Sequence, residues 1–285
     1  MVELSIIIVT YNSSMHIYDC LESIFRNNDI GDGLEVIIVD NASGEQSELF
    51  SKLNSIYSNR ILLINSGRNG GYGFGNNVGI KKSHSNKVIV MNPDVRIIKP
   101  IFKTIISRMQ NEEIALLGVS FIDGSLPFYF KPEHGNLLKS LFLKQIIQRK
   151  KYNPQTMYMS GSFLVFDKEK FFKAGAFDEN IFMYYEEPDI TNRIISIGGK
   201  VCWAKDIYVK HLAHGRQFSE KTWKIMRESY FYYAKKYGVD IGRSRSNAIT
   251  ILRFKLFAAK MLGQKEKALL FKQQVEKFQI ELNDK

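Results

Sequence analysis

A short apolar run that ends in an acidic turn most constrains how this chain can fold. The run Val88–Met91 has no polar alternation, which is typical of a strand buried on both faces. Pro93 cannot continue a central ladder, and it keeps Asn92 out of the helical region. Asp94 therefore stands at the carboxyl end of a strand, where open α/β sheets bind their ligands. A carboxylate there either caps the next segment or holds a divalent cation, and these eight residues alone favour neither.

Three earlier apolar runs have the same character, and each is followed by polar residues that favour a turn. The segment after the first run has apolar residues at helical spacing, among them Ile17, Leu21 and Ile24. Strands that alternate with helices in this way predict a mainly parallel sheet with helices on its faces. The three runs are Leu4–Val9, Glu35–Val39 and Ile61–Ile64.

A glycine-rich stretch, Asn65–Gly79, follows the third run. Its last glycines nearly form a dinucleotide-binding fingerprint, but the spacing differs, and the fingerprint belongs after the first strand rather than the third. We expect instead that these small residues let the start of a helix approach the sheet and a nucleotide closely. Arg68 and Asn69 would then supply cationic and amide contacts.

An acidic cluster, Glu186-Glu187-Pro188-Asp189, comes just before a predicted helix at Ile190–Ile197. Pro188 and Asp189 fit the ordinary rules for a helix start. Capping explains one acid well and the others poorly. Carboxylates that lie close together in a partly apolar pocket raise one another's pKa, which is what a general base requires.

Composition predicts a soluble globular protein, since 45% of the 285 residues are hydrophobic and 24% are charged. We see no apolar run near the roughly 20 residues that cross a bilayer, and no signal-peptide pattern at the start. Cys20 and Cys202 have no metal-type spacing, so two buried thiols in a reducing cytoplasm are expected.

The positive charge is concentrated at the end of the chain. Residues 205–285 hold 18 Lys and Arg against 8 Asp and Glu, whereas residues 1–204 hold 22 against 21. This asymmetry indicates an acidic partner, such as nucleic acid, anionic lipid or a phosphate-bearing substrate. The tail has an apolar seam that predicts helices, which either pack on the domain or a second subunit or lie in a membrane plane. The seam consists of Ala268, Phe271, Val275, Phe278 and Leu282.

Six features, in this order and spacing, resemble family 2 glycosyltransferases, and most closely their rhamnosyltransferase-type branch. Asn92-Pro93-Asp94 stands where that family has its Asp-x-Asp motif, with Asn92 in place of the first acid, so metal binding rests mainly on Asp94. The other five features are the opening Ser5–Asn12, the turn Val39–Ser43, the loop Arg68–Gly73, the acidic motif Tyr185–Asp189, and His211 with His214-Gly215.

The resemblance implies a GT-A fold, with a mainly parallel central sheet flanked by helices and a basic helical C-terminal appendage. It implies a catalytic domain at residues 1–240, whose residues 1–98 form the nucleotide-binding half and residues 99–240 the acceptor-side half. Residues 241–285 would form a helical extension that contacts the membrane or another subunit, with a homodimer through these helices as one arrangement.

The resemblance also assigns site residues by motif position. Glu187 would be the catalytic base, with Glu186 as the competing candidate and Asp189 beside them. Asp94 and His211 would hold Mg²⁺ or Mn²⁺. Expected contacts to the acceptor or to phosphate are Ser160, Gly161, Tyr185, His214 and Arg227. The expected donor-nucleotide residues are Thr10, Tyr11, Asn12, Asp40, Asn41, Arg68, Asn69, Gly70, Gly71 and Asn92.

The implied activity is inverting transfer of L-rhamnose from dTDP-rhamnose to a hydroxyl of a polyprenyl-diphosphate-linked glycan. This would serve bacterial surface polysaccharide synthesis, O-antigen or capsule, by a cytoplasmic protein peripheral on the inner membrane face. A UDP-hexose donor (glucose, galactose or N-acetylhexosamine) and a non-catalytic sugar- or nucleotide-binding protein are the alternatives. Nucleic acid is not an expected partner, because it would not explain the acidic cluster. A nucleotidyltransferase would need a glycine-rich basic loop that Thr10–Ser14 lacks.

Overall fold

The computed structural model describes residues 1–135, 137–212 and 219–280. The chain forms two compact units. The first consists of Met1–Tyr129 and Asn153–Tyr232, and the second of Phe130–Tyr152 and Tyr233–Lys285. The predicted boundaries at residues 98/99 and 240/241 stay predictions.

The first unit is built on an eight-stranded sheet in the order β3-β2-β1-β4-β9-β6-β10-β5. Strands β3, β2, β1 and β4 are parallel to one another, and β6 is parallel to β10. Strand β9 is antiparallel to both β4 and β6, and β5 is antiparallel to β10. The predicted mainly parallel sheet is therefore confirmed. The strands are β1 Leu4–Thr10, β2 Leu34–Asp40, β3 Leu62–Asn65, β4 Lys87–Met91, β5 Val95–Arg96, β6 Ile114–Phe121, β9 Phe163–Asp167 and β10 Lys200–His211.

Helices cover this sheet, and a two-stranded ribbon lies beside it. The ribbon consists of β7 Phe128–Phe130 and β8 Met157–Met159, and α8 continues from the first unit into the second. The helices are α1 Ser14–Arg26, α2 Gln46–Tyr57, α3 Gly71–Lys82, α4 Phe102–Arg108, α6 Lys168–Lys173, α7 Glu186–Ser196 and α8 Glu220–Tyr237.

The core forms where the apolar strands meet the apolar faces of the helices. Ile6 and Ile89 pair across β1 and β4 and are fully buried, and Leu21 of α1 packs into the same cluster. Each such side chain stabilises the fold by about 1.5–3 kcal/mol. Burial also raises the pKa of Cys20 to about 12, whereas Cys202 is only half-buried, and both are free thiols.

Helix α7 begins at Glu186, four residues before the predicted start at Ile190. Tyr184 and Tyr185 both take left-handed backbone angles, with φ of 70° and 71°, and so form a tight turn directly before the helix. The three acids of the cluster are consequently in the first helical turn, where the helix dipole favours negative charge.

The second unit is helical, as predicted for the C-terminal region. It contains α5 Leu137–Gln148, α9 Ile241–Met261 and α10 Lys265–Ile280, and α9 packs against both of the others. The Asp240 side chain caps α9 by accepting from the Arg243 backbone N–H at 2.9 Å, and Gly263 (φ 67°) lies in the tight turn to α10. No helix within the described ranges is both long and apolar enough to cross a bilayer.

Candidate active site

The ends of β1 and β2 form a rigid polar turn. Thr10 and Asp40 are register partners at these strand ends, and both are fully buried. Asp40 accepts hydrogen bonds from Thr10 Oγ1 at 2.9 Å, from the Ser43 backbone N–H at 2.7 Å and from Ser43 Oγ at 2.6 Å. The Asn12 N–H donates to Ser43 Oγ at 2.8 Å. Tyr11 stands out from this turn with 43% of its surface exposed, so its ring can reach a ligand.

Asn41 connects this turn to the start of α3. Its Nδ2 donates to the Gly71 carbonyl at 2.8 Å, and its Oδ1 accepts from Ser66 Oγ at 3.1 Å. Four of the residues predicted to bind the donor nucleotide therefore lie together at the carboxyl edge of the sheet, namely Thr10, Asp40, Asn41 and Gly71.

The glycine-rich stretch allows close contact with the loop that precedes the acidic cluster. Gly71 has φ 89°, and an added Cβ would overlap the Phe182 carbonyl oxygen. The Tyr72 N–H donates to that oxygen at 2.9 Å, and Asn69 Oδ1 accepts from the Gly71 N–H at 3.1 Å. The expected close approach occurs, and it brings α3 next to the chain segment that leads into α7.

Arg68 lies on the exposed side of this contact. Its guanidinium carbon is 4.0 Å from the centre of the Phe74 ring, and its Nη2 is 3.6 Å from Glu179 Oε2. The side chain is 63% exposed, so the protein contacts orient the cation without removing it from solvent.

Asp94 and His211 are adjacent because β5 pairs with the end of β10. Val95 is the register partner of His211, and the Leu212 N–H donates to the Asp94 carbonyl at 2.8 Å. His211 Nε2 lies 3.4 Å from Asp94 Oδ1, with side chains 13% and 17% exposed. The structure therefore brings together the two residues predicted as metal ligands, which are 117 positions apart in the chain.

Asp123 fixes the other side of the His211 ring. It accepts from the His211 N–H at 3.0 Å, and Ser125 Oγ lies 3.4 Å from Nδ1 of the same ring. Burial raises the pKa of Asp123, but hydrogen bonds from Ser125 and from the His211 backbone more than offset this, so its pKa is lowered overall.

The Asp94–His211 pair has donor atoms that suit a divalent cation. His211 Nε2 is buried and makes no hydrogen bond to any described residue, and imidazole nitrogen and carboxylate oxygen both bind Mn²⁺. Among the described residues no group of three His, Cys, Asp or Glu side chains could hold a metal ion. An ion held here would therefore need further ligands from a bound diphosphate or from water.

Arg96 holds the turn that carries Asp94, and this role was not predicted from the sequence. Its Nη1 donates to the carbonyls of Pro93 at 2.7 Å and Val95 at 3.0 Å, and its Nη2 to the His16 carbonyl at 3.2 Å. The available signal was an arginine two residues after the acid, on a strand too short to detect by periodicity.

Glu187 is anchored by the loop at residues 160–162. The Gly161 N–H donates to Glu187 Oε1 at 3.1 Å, and the Gly161 carbonyl accepts from the Tyr72 hydroxyl at 2.6 Å. On the other side of the loop, the Asn92 N–H donates to the Ser162 carbonyl at 3.0 Å. The predicted residues Gly161, Glu187 and Asn92 are thus connected through one short loop. In the same loop, Ser160 Oγ lies 2.8 Å from Ser162 Oγ.

Glu186 has a different environment from Glu187. Its side chain is buried, and its Oε2 makes no hydrogen bond within the described chain. Burial, followed by the charge of Glu187, raises the pKa of Glu186 well above its ordinary value of 4.5. Burial and the same charge raise the pKa of Tyr72 and Tyr158. Burial therefore favours the protonated form of Glu186, whereas Glu187 Oε1 accepts the hydrogen bond from the Gly161 N–H.

The remaining predicted residues have less direct positions. Asp189 is fully buried and accepts from Arg193 Nε at 2.9 Å and Nη2 at 2.5 Å, which suits an orienting role better than chemistry. The Tyr185 ring lies 5.5 Å from that of Tyr230, and Arg227 is half-buried one turn before Tyr230 on α8. Gly70 precedes α3 as its N-cap, and His214 lies outside the described residues.

Two solved structures share this fold. The mannosyltransferase PcManGT from Pyrobaculum calidifontis, in complex with GDP-Man and Mn²⁺, has a TM-score of 0.62 at 15% identity, covering 96% of this chain and 79% of that chain. GalNAc-T7 with UDP, GalNAc and Mn²⁺ has a TM-score of 0.59 at 15% identity, covering 83% of this chain and 51% of that chain. The predicted GT-A fold is confirmed.

Two curated relatives match most of the chain. The low-salt glycan biosynthesis hexosyltransferase Agl10 of Haloferax volcanii is 28% identical over 198 residues, 67% of this chain and 61% of the relative. The dTDP-rhamnosyl transferase RfbF of Shigella flexneri is 28% identical over 210 residues, 72% of this chain and 67% of the relative. The chain thus spans about three fifths of the length of Agl10. Residues 5–173, more than half of the chain, match the profile of Glycosyl transferase family 2, and the chain belongs to that family.

Proposed function

We propose that this protein is an inverting glycosyltransferase that moves a sugar from a nucleotide-diphosphate donor to an acceptor hydroxyl. The observation that carries the proposal is the loop at residues 160–162, which contacts Glu187 on one side and the Asn92–Asp94 turn on the other. A proton acceptor and a diphosphate-binding turn at one loop are what a direct displacement at an anomeric carbon needs.

Glu187 acts as the general base in this proposal. The acceptor oxygen attacks the anomeric carbon and loses its proton to Glu187, while the bond from that carbon to the diphosphate oxygen breaks on the opposite face. One displacement inverts the anomeric centre. The N–H of Gly161 orients the Glu187 carboxylate. Glu186 is less suited to this role, because burial raises its pKa and so favours the protonated form, which is a far weaker base than a carboxylate.

Asp94 Oδ1 and His211 Nε2 would hold Mg²⁺ or Mn²⁺, since they lie 3.4 Å apart and both belong to types that bind these ions. When bound, the ion supplies positive charge to the leaving diphosphate. The Mn²⁺ complexes of PcManGT and GalNAc-T7 support this proposal. Arg68, whose side chain is 63% exposed, would add a further cation for the phosphates.

For the donor we propose dTDP-L-rhamnose, supported by the similarity to RfbF of Shigella flexneri, a dTDP-rhamnosyl transferase. A UDP-hexose is the second candidate, supported by the likeness to the hexosyltransferase Agl10 and to GalNAc-T7, whose complex holds UDP. In either case the nucleotide would bind at the carboxyl ends of β1 and β2, with the exposed Tyr11 ring against the base. The proposed contacts are Thr10, Tyr11, Asn12, Asp40, Asn41, Arg68, Asn69, Gly70, Gly71 and Asn92.

For the acceptor we propose a polyprenyl-diphosphate-linked glycan of O-antigen or capsule synthesis, used at the inner face of the cell membrane. A tyrosine pair beside Glu187 offers a surface for its sugar ring. The rings of Tyr129 and Tyr158, on β7 and β8, stack with centres 5.8 Å apart, and Tyr129 is 37% exposed. Aromatic faces bind the apolar faces of sugars, so this pair would orient the acceptor hydroxyl toward Glu187. Ser160, Gly161, Tyr185, Arg227 and His214 are the other proposed acceptor-side residues.

Donor hydrolysis tests this function directly. The purified protein is incubated with dTDP-rhamnose, UDP-glucose, UDP-galactose and UDP-N-acetylglucosamine, with and without Mn²⁺, and release of the nucleoside diphosphate is measured. We expect hydrolysis of one of these donors, stimulated by Mn²⁺ and lost in Glu187→Gln, because without an acceptor the base would activate water in place of the acceptor hydroxyl. Tight nucleotide binding without turnover under every condition would favour a non-catalytic sugar- or nucleotide-binding protein.

A further inference from the structure

The turn between α9 and α10 exposes a group of large apolar side chains, here called the tip patch. Three of its members are among the most exposed large apolar residues of the described chain: Phe257 at 62%, Met261 at 72% and Leu262 at 70%. Exposed apolar surface of this kind marks an interaction site rather than a core. The tip patch consists of Phe257, Met261 and Leu262, together with Phe254 on the same side of α9.

The tip patch is separate from the face that packs the two helices together. Phe254, Phe257 and Met261 recur at intervals of three and four, so they share one side of α9. The buried residues of the same hairpin, Ala259 and Val275, belong to the opposite, inward side. The apolar side chains of the tip are therefore not needed to hold α9 against α10.

Basic side chains surround the tip patch. Between residues 253 and 272 there are six Lys and Arg and a single acid, Glu266. All six are exposed, and Arg253 and Lys260 lie along one border of the strip formed by Phe257 and Met261. Lys255 is on the other side of α9, with its Nζ 6.0 Å from the centre of the Phe271 ring of α10. Exposed apolar anchors among lysines and arginines are typical of helices that lie in the headgroup region of an anionic bilayer. The six are Arg253, Lys255, Lys260, Lys265, Lys267 and Lys272.

The charge of this surface argues against a second copy of the chain as its partner. A twofold interface places the same patch on both subunits, so the basic border of one patch would face the basic border of the other. An anionic bilayer instead offers negative charge to the cations and hydrocarbon to the apolar side chains.

We propose that the tip of the α9–α10 hairpin docks in the plane of an anionic bilayer. Phe257, Met261 and Leu262 enter the boundary between headgroups and acyl chains, while the surrounding lysines and arginines contact lipid phosphates. The docking itself depends only on this surface. Its purpose, to hold the enzyme near a lipid-linked acceptor, rests on the proposed function.

Vesicle sedimentation of the full chain, without donor, tests the docking. We expect binding to phosphatidylcholine vesicles that contain phosphatidylglycerol, little binding to phosphatidylcholine alone, and loss of binding as salt is raised. The triple variant Phe257→Ser/Met261→Ser/Leu262→Ser should bind the anionic vesicles roughly tenfold or more weakly. A matched control in the first unit is Ile56→Ser/Ile122→Ser, whose side chains are 59% and 61% exposed, and it should bind as wild type does.

A charge variant tests the second half of the proposal and leaves the apolar surface intact. Lys260→Glu/Lys265→Glu/Lys267→Glu should also bind the anionic vesicles roughly tenfold or more weakly. Its control, Lys81→Glu/Lys82→Glu, reverses two exposed cations at the end of α3 and should have a much smaller effect. Equal losses in both charge variants would show that net charge alone governs binding, and would overturn the proposal.

The outcomes separate docking from dimerisation and from catalysis. If wild type is a dimer, the serine variant is a monomer and both bind vesicles equally, the tip patch is a subunit interface and the proposal is overturned. Donor hydrolysis is measured without vesicles. If wild type hydrolyses the donor but does not bind anionic vesicles, the docking alone is overturned. Binding that follows the tip patch without any donor hydrolysis upholds the docking and contradicts the proposed function.

Discussion

The backbone N–H of Gly161 donates a hydrogen bond to Oε1 of Glu187 at 3.1 Å, across a separation of 26 residues. The same glycine accepts from the Tyr72 hydroxyl at 2.6 Å, and its neighbour Ser162 accepts from the Asn92 N–H at 3.0 Å. One loop thus touches the acidic helix, the glycine-rich helix and the turn that carries the predicted metal ligand. The proposed base and the proposed diphosphate site are fixed relative to each other through this loop.

Replacing Gly161 by alanine should disturb catalysis more than folding. An added Cβ would overlap the end of the Glu187 side chain, which can rotate away, and the backbone of Gly161 is not in the left-handed region. We expect a loss of roughly 100-fold in kcat, the effect of misplacing a reacting group by about 1 Å, with little change in Tm. Gly135→Ala is the control, since its Cβ would meet only ordinary contacts. Full activity in Gly161→Ala would show that this hydrogen bond does not position the base.

Glu186→Gln should make the protein more stable at neutral pH. The unfolded carboxyl has its ordinary pKa of 4.5, and the folded one has a raised pKa, so the native state binds more protons between the two values. Stability therefore falls as pH rises through that window, and the glutamine variant escapes the loss. We expect its Tm to exceed that of wild type by roughly 2–4 °C at pH 8 and by less at pH 5. Glu48→Gln, on the exposed surface of α2, is the control. A Tm difference that does not change with pH would contradict the assignment of the buried proton to Glu186.

Arg96→Ala should weaken the proposed metal site without touching its ligands. The arginine fixes the carbonyls on both sides of Asp94, and residues that orient a metal ligand typically contribute about 10–100-fold to metal affinity. We expect nucleotide binding to need roughly tenfold more Mn²⁺. The measurement is nucleotide affinity titrated against Mn²⁺. Arg108→Ala is the matched control, since it removes an exposed ion pair with Asp206. Equal Mn²⁺ requirements in both variants would rule out this positioning role.

Gly71 and Gly67 offer a matched pair of stability tests. Both have positive φ, 89° and 77°, so alanine costs about 1 kcal/mol of conformational energy at either position. At Gly67 the added Cβ meets nothing within 4 Å, whereas at Gly71 it overlaps the Phe182 carbonyl. We expect denaturant unfolding to give a loss of about 1 kcal/mol for Gly67→Ala and at least about 3 kcal/mol for Gly71→Ala. Similar losses in the two variants would mean that the α3 contact is loose.

The sequence was informative about the fold wherever hydrophobic pattern alone decides structure. The apolar runs of β1, β2 and β4 are buried on both faces, so their hydrophobic pattern alone predicted them as strands. The antiparallel pairing of β9 and the two-residue strand β5 were not predicted, because their partners are distant in the chain and pairing is set by tertiary contacts. Helix α7 starts four residues earlier than predicted, because Tyr184 and Tyr185 adopt left-handed backbone angles that residue type does not predict.

In the candidate site, too, some residues could be predicted from the sequence and others could not. Motif order indicated Asp94, His211 and Glu187, since carboxylates and imidazoles at strand and helix ends carry chemistry. The supporting residues were missed, because Arg96 acts through its reach to backbone carbonyls and Tyr72 through a hydroxyl 89 positions from its acceptor. Such contacts have no local sequence pattern. The difference between Glu186 and Glu187 likewise depends on burial that only the folded chain reveals.

Calorimetric titration of dTDP and UDP into Asp94→Ala and Glu187→Gln, each with and without Mn²⁺ and combined with turnover measurements, tests whether Asp94 holds the metal and Glu187 is the base. We predict that both variants lose turnover by about 100-fold or more. Glu187→Gln should bind nucleotide as wild type does, whereas Asp94→Ala should lose the increase in affinity that Mn²⁺ brings. Equal Mn²⁺-dependent binding in wild type and Asp94→Ala, or full turnover in Glu187→Gln, would contradict this assignment.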